Sequence, residues 1–331
     1  MKTNFKNTGL LLLGVICMTS CSNNDEASST LAKLPPSSQE YQTIRGVALQ
    51  NQTQSFTATA GAGTITLTSA KGVTITLNGN ALTKNGYPVT GSIDIKFVEL
   101  FDKGSMLATN KPTMGLMPNG DKGMLISGGE FYINATQGGV PLVTTAAIQL
   151  TVPANLSGDP IDNTMILWSG DTADADNLTW KADVAAPVGG AQGGAIGFAG
   201  TRYTANFANF GWTNIDRFYN DPRPKTQILA TVPAGYNDTN SSIYLSVDGE
   251  GQNQLAKFDT YNPTTLQFSE HYGQIPIGLV CHLIFASTEN GQWRYGVKAV
   301  TTTANAVYNF DLSETVIGTE AQMIAAINAI Q

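Results

Sequence analysis

"GSIDIKF" (residues 91–97) alternates in character: Ile93, Ile95 and Phe97 fall on one face, Asp94 and Lys96 on the other. A period of two reads as a strand with one face in a core and one in water. The same signal recurs about every ten residues, punctuated by Gly and Asn, in "GTITLT" (63–68), "GVTITL" (72–77), "GEFYINAT" (129–136) and "AIQLTV" (147–152). Lys71-Gly72 sits between two of these runs as a hairpin turn. After Phe97 the phase switches to Val98 and Leu100, which predicts a β-bulge near Glu99. No helical period competes in this half of the chain.

Strand signals resume in "RYTANF" (202–207), "TQILATV" (226–232), "SIYLSVD" (242–248), "GLVCHLIFAS" (278–287) and "WRYGVKAV" (293–300). Their spacing argues for antiparallel sandwiches rather than βαβ units. One helix closes the chain, because Thr319-Glu320-Ala321-Gln322 has the form of a capping box before "MIAAINAI". No repeat of 20–50 residues is evident, which disfavours a solenoid or propeller. The expectation is an all-β protein with two antiparallel β-sandwich domains, residues 44–184 and 201–331, the second ending in the helix. The Gly/Ala-rich stretch 185–200, "AAPVGGAQGGAIGFAG", reads as a loop or linker between them. Residues 21–43, rich in Ser, Asn, Gln and Pro, read as a disordered tether.

The first 20 residues read as a secretory signal: Lys2 and Lys6, then an apolar run from Gly9 to Met18. That run is shorter than the roughly 20 residues a membrane-spanning helix needs. Small Ser20 precedes Cys21, and Met18-Thr19-Ser20-Cys21 resembles a degenerate lipobox, with Met where Leu is usual. Cys17 follows bulky Ile16 and fits less well. The resemblance implies a diacylglycerol on the Cys21 thiol and an acylated new N-terminus. One myristoyl-sized chain binds a membrane only marginally, and stable anchoring takes two signals. Ser22, rather than Asp, follows the cysteine, and Asn23-Asn24-Asp25-Glu26 resembles the acidic tethers that send some Gram-negative lipoproteins outward. The expected location is the outer membrane, lipid-anchored, at the cell surface.

Cleavage after Ser20 removes two of 18 basic residues and none of 25 acidic ones, leaving a formal −9. Such a surface repels phosphate backbones and excludes nucleic acid as the expected partner. Of three cysteines, only Cys281 is left after cleavage and acylation, so a disulfide framework is excluded and the core must hold the fold.

Three segments, "GYPVTGSIDIKFVEL" (86–100), "SMLATNKPT" (105–113) and "LISGGEFYINATQGGVPL" (125–142), resemble the ZU5-like β-sandwich of some bacterial surface lipoproteins. The resemblance implies a binding or scaffolding module and carries over no catalytic residue. Some ZU5 relatives cleave themselves at His-Phe-Ser. Here Tyr272 follows His271 and Leu283 follows His282.

Catalytic constellations are sparse. The chain has two histidines and lacks G-x-S-x-G, H-E-x-x-H, C-x-x-C, P-loop and G-x-G-x-x-G patterns. Cys281 and His282 are neighbours on a strand and point to opposite faces, so a buried structural thiol is the better reading. "GDTADADNLTW" (170–180) offers calcium the oxygens of Asp171, Asp174, Asp176 and Asn177 but lacks the mid-loop Gly and distal Glu of an EF-hand. A polar loop is the preferred reading. Asp171-Thr172-Ala173 also resembles an O-glycosylation acceptor.

"FGWTNIDRFYNDPRPKT" (210–226) concentrates Trp212, Asp216, Arg217 and Tyr219. Aromatic faces with carboxylates suit a sugar ring. Alternatively the segment is an interdomain anchor, its aromatics packed and Asp216 bonding backbone amides. The anchor is the preferred reading. The expected function is that of a lipid-anchored envelope protein that binds or scaffolds without catalysis or a required cofactor. Its partners are the membrane and either a glycan or an envelope protein. The alternatives are an accessory subunit of an outer-membrane assembly and, behind it, a glycan-processing enzyme.

Overall fold

A computed structural model describes residues 34–157, 161–173, 176–183, 195–249 and 253–330. The expected signal stretch, Cys21, most of the expected tether, Asp174 and residues 184–194 lie outside these. The chain is all-β, with a short C-terminal helix as expected. No helix among the described residues is long and apolar enough to cross a membrane.

Four sheets carry the architecture. Sheet 1 has five strands in the order Ala195–Ala199, Arg202–Phe207, Ile148–Pro153, Thr74–Asn78, Thr64–Thr68. Sheet 2 runs Gln54–Ala60, Gly91–Leu100, Lys122–Gln137, Gly211–Phe218, Ile166–Asp171, Thr179–Ala182, Met114–Leu116, with Val140–Pro141 added beside Lys122–Gln137. Sheet 3 is Ala256–Lys257, Ser241–Val247, Val280–Glu289, Gln292–Thr301, Val316–Gly318. Sheet 4 is Thr260–Asn262, Gln267–Ser269, Leu229–Thr231, Val307–Asn309.

One apolar cluster lies between sheets 1 and 2, with Ile75, Leu150 and Tyr203 from the first and Ile95, Phe97, Phe131 and Ile133 from the second. Another joins sheets 3 and 4 through Leu245, Leu283, Phe285, Ala230 and Phe268. A third cluster draws on both halves of the chain: Val98, Leu100, Trp168, Trp180 and Trp212 from sheet 2, and Tyr244, Ile284, Ala286 and Trp293 from sheet 3. Alternate residues of sheets 2 and 3 therefore enter different cores, which is why Ser241–Val247 is buried along its whole length.

Three expectations are corrected. First, strands Ala195–Ala199 and Arg202–Phe207 belong to sheet 1, and Gly211–Phe218 pairs with Lys122–Gln137. The boundary at residue 201 therefore falls inside the first sandwich, and the end of the 185–200 linker is an edge strand. Ile196 there packs against the core, and Phe198 lies edge-on to Tyr203 at 5.7 Å between ring centres, contacts the surrounding Gly and Ala composition concealed.

Second, residues 38–43 are helical where a tether was expected. Helix α1 (Ser38–Asn51) starts at N-cap Ser37 in a capping box with Glu40, the S-x-x-E pattern within "PSSQE". It buries Tyr41, Ile44 and Ala48 in the third cluster, with Tyr41 edge-on to Trp293 at 6.3 Å between ring centres. Helix α2 (Lys103–Ala108) is a second helix the strand pattern concealed, capped by Asp102.

Third, Gly91–Leu100 pairs with Lys122–Gln137 in unbroken register through Glu99. The phase switch at Val98 arises because both faces of the strand end are buried. Glu99 is buried with its carboxylate accepting from Ser69 Oγ, Lys71 N and Gln54 Nε2.

Other local signals match the structure. Thr64–Thr68 and Thr74–Asn78 form the expected hairpin, with Gly72 at φ +90°, where a side chain would be strained. Thr319 and Gln322 form the capping box of α3 (Glu320–Asn328).

Candidate binding cleft

Sheet 2 curls on itself. Met114–Leu116 pairs both with Thr179–Ala182 and with the start of Lys122–Gln137, so five strands close into a ring. Leu125, Trp168 and Trp180 share the face that turns inward and are fully buried. Two glycines make room for the indoles. A Cβ on Gly115 would meet Leu125 at 2.7 Å and Trp168 at 3.0 Å, and one on Gly170 would meet Trp212 Cβ at 2.7 Å. The indole nitrogens are satisfied by backbone: Trp168 Nε1 donates to Asp216 O and Trp180 Nε1 to Pro112 O.

Beside the tryptophans stands a buried polar group built by a bulge. Asn214 pairs with Glu130 and Asp216 with Ser127, so Gly128 and Gly129 together oppose only Ile215. A Cβ on Gly128 would meet Ile215 O at 2.7 Å, and Gly129 has φ +132°. The inserted residue resets the alternation, so Ser127, Glu130, Asn214 and Asp216 all project to the inward face. Asp216 accepts from Gly128 N at 3.3 Å and from Asn214 Nδ2. Burial pushes the carboxyls of Glu130 and Asp216 well above the usual range, and the charge of Asp216 raises Glu130 further. Lys111 opposes that effect on Glu130. Its Nζ lies 5.1 Å from the centre of the Trp212 ring, and burial lowers its own pKa.

Two residues along the same face from Glu130 and Asn214 lie Tyr132 and Trp212, ring centres 5.3 Å apart. They floor an open cleft of about 460 Å³. Phe210 adds a third ring, and Ser169, Thr172, Asp183 and Asn209 supply hydroxyl, carboxylate and amide groups to the wall. Rings for apolar faces and a few placed polar groups are the usual makeup of a small-molecule site.

The four residues singled out in 210–219 part company. Trp212 is 9 % exposed and packs edge-on to Trp180 at 6.5 Å, the position of an anchor, with a sliver in the cleft. Asp216 is fully buried and bonds a backbone amide. Arg217 points away from it and pairs with Asp162. Tyr219 donates to Asp221 at 3.1 Å. Glu130 escaped the sequence reading, although the pair Gly128-Gly129 before an acid inside an alternating strand was its signal.

The three described members of the calcium set also separate. Asp171 pairs with Lys181 at 2.6 Å and caps Ala173 N. Asp176 pairs with Arg45 at 3.2 Å, which stacks on Tyr41. Asn177 accepts from Lys122 at 2.8 Å and donates to Asp259 at 3.2 Å. No group of three or more His, Cys, Asp or Glu able to hold a metal occurs among the described residues. Asp176, Asn177 and Asp259 do line a second cleft of about 350 Å³ between α1 and sheet 4. Asp259 also accepts from His271 Nδ1 at 2.8 Å.

Cys281 is buried in the core between sheets 3 and 4, and burial pushes its thiol up to about 12. His282 turns to Asp248 instead, at 2.6 Å. The pair is no nucleophile and base. Compared with known proteins, the chain matches no family model, no curated protein and no solved structure.

Proposed function

We propose that this chain is a cell-envelope lipoprotein, held at the outer membrane by acylated Cys21 and facing the cell exterior, that binds a glycan without chemical turnover. The observation supporting the ligand class is the cleft where Tyr132, Phe210 and Trp212 meet Ser169, Thr172, Asp183 and Asn209. Ring faces take the C–H side of a sugar, and the wall groups take its hydroxyls. Trp212 forms the floor, and half-buried Phe210 and Tyr132 present the more accessible ring surface. The ZU5-like resemblance over 86–142 agrees with a binding module.

A glycan array with the detergent-solubilised protein tests the cleft. Phe210→Ala and Asp183→Ala should each abolish the strongest signals. Asp183→Ala should leave the melting temperature within a few degrees. Phe210→Ala, which also removes a ring packed against the core between sheets 1 and 2, should lower it while the variant stays folded. Unchanged array signals in both variants would remove the proposal. The anchor is tested separately: Cys21→Ala should lose label from an alkyne fatty acid and leave the membrane fraction, and retained label would refute lipidation there.

A second reading, an accessory subunit of an outer-membrane assembly, is favoured by exposed Tyr87 and Val143, both flanking the short strand Leu82–Lys84. Tyr87→Ser with Val143→Ser should then free the protein from a co-purifying membrane complex.

A further inference from the structure

The outward face of sheet 1 carries its own recognition surface. Its inward residues, Ile65, Ile75, Leu150 and Tyr203, belong to the core, so their neighbours face out. Strand register lines these up in rows. One row reads Thr66, Thr76, Gln149, Asn206, and the next reads Thr68, Thr74, Thr151, Thr204. Neither row holds a charged residue, in a chain whose net charge is −7. The outer positions of the neighbouring sheet differ, since Asp94 and Lys96 stand exposed on Gly91–Leu100.

At one end the face deepens into a groove of about 460 Å³, lined by Thr64, Thr76, Asn78, Asn80, Gln149 and Asn206 among others. The amides here are held in place. Asn80 Oδ1 accepts from Gly63 N at 3.2 Å, and Asn78 Oδ1 accepts from Asn80 N at 3.0 Å. Both Nδ2 groups are left as outward donors. Gln149 Nε2 donates to Asn206 Oδ1 at 3.1 Å, which leaves Gln149 Oε1 as an acceptor and Asn206 Nδ2 as a third donor. Thr64 and Thr76 add hydroxyls that both donate and accept.

We infer that this groove and the threonine rows beyond it bind a neutral polysaccharide laid across the strands of sheet 1. Three features select that occupant. Fixed donors, a fixed acceptor and hydroxyls of either role match a polymer whose every unit presents hydroxyls. Among the described residues, the groove and both rows carry no charge, the one cation on this face being exposed Arg202 at the edge beyond the threonine row, so the groove itself offers an ionic ligand no partner. Rows repeating at about 4.8 Å across strands and about 6.7 Å along them offer many weak contacts to an extended chain rather than one deep pocket. The surface is separate from the aromatic cleft, so each proposal stands or falls alone.

Affinity electrophoresis of the detergent-solubilised full-length protein tests it. The gels contain dextran, galactomannan, mixed-linkage β-glucan or the anionic polymers alginate and hyaluronan. At least one neutral polymer should retard the protein, and the anionic ones should not. Asn78→Asp with Gln149→Glu replaces two amides by isosteric carboxylates on the exposed face and should weaken retardation about tenfold, with an unchanged circular dichroism spectrum. Phe210→Ala should not alter it. Retardation by no neutral polymer, equal retardation by anionic ones, or undiminished retardation of the double variant would each overturn the inference. Loss in Phe210→Ala alone would reassign the ligand to the aromatic cleft.

Discussion

Sheet 2 has two buried faces, and they are built differently. Toward sheet 1 it presents Ile93, Ile95, Phe97, Phe131, Ile133 and Ile215, a wholly apolar set. On the other face of the sheet, Trp168, Trp180 and Trp212 are interleaved with Glu130, Asn214, Asp216 and Ser127, all nearly or fully buried. One face is a plain sandwich core. The other mixes large aromatics with carboxyls that burial keeps from ionising easily. Burial alone therefore says little about what a layer does. The polar layer adjoins the floor of the aromatic cleft at Trp212 and Tyr132, while the apolar layer reaches that cleft only at its rim, through Phe207 and Phe210.

The contrast can be pressed hardest at Trp212. It ties the cleft floor to the core shared by both halves of the chain, so Trp212→Ala should cost about 3–5 kcal/mol. That is a large share of the 5–15 kcal/mol typical of a domain, and the variant should melt markedly lower or fail to fold. A soluble variant with an unchanged melting curve would show the indole to be a surface group.

The bulge is the next test. Gly128→Ala forces a Cβ against Ile215 O, and the reset of alternation depends on that close approach. A loss of about 1–3 kcal/mol in urea titration is expected. Gly138→Ala, at a turn with φ +59° and open space around it, should lose less, about 1 kcal/mol. Equal losses would mean that the bulge is not tightly held.

Acidity separates the two faces as well. An acid whose pKa is raised by folding is neutral in both states below about pH 4.5. Stability then falls as pH rises from there toward the folded-state pKa. Glu130 and Asp216 contribute such a slope, as does Glu270, which burial raises to about 8. Wild type should therefore lose stability between about pH 4.5 and 8. In thermal melts across that range, Glu130→Gln and Glu270→Gln should each gain on wild type, at about 1.4 kcal/mol per pKa unit relieved. For Glu270 the gain should level off above about 8. Parallel melting curves for wild type and variants would show both groups to be ionised in the fold. Below about pH 4 the opposite holds for Asp162, held down by hydrogen bonds from Thr164 and then by Arg217, and for Asp221, held down by Arg223, and stability should fall again.

The smallest effect belongs to the outward face of sheet 1. Thr66→Ser or Thr151→Ser should shift the melting point by no more than about 0.5 kcal/mol in stability terms. A large loss would mean that this face is covered rather than open.

Much of the fold was legible because its signals are local. The period of two in "GSIDIKF", the turn at Lys71-Gly72 and the cap at Thr319 depend only on neighbouring residues, and each forms where it was expected. The cap at Ser37 was equally local, and was masked by the polar composition around it. Of the site, Trp212 and Asp216 were visible as an aromatic beside an acid, and the anchor position of Trp212 followed from its size.

The sequence by itself determined the class of fold, the turns and the ends of the helices, because backbone sterics and capping hydrogen bonds act over a few residues. Only the tertiary structure decided which strands share a sheet. It placed 195–218 in the first sandwich and closed Met114–Leu116 onto Lys122–Gln137. It also decided that Val98 and Leu100 need no bulge while Gly128-Gly129 form one. Those outcomes depend on which distant surface covers each face of a strand. A period of two cannot encode that, because a strand buried on both sides carries the same alternation of direction with no alternation of polarity.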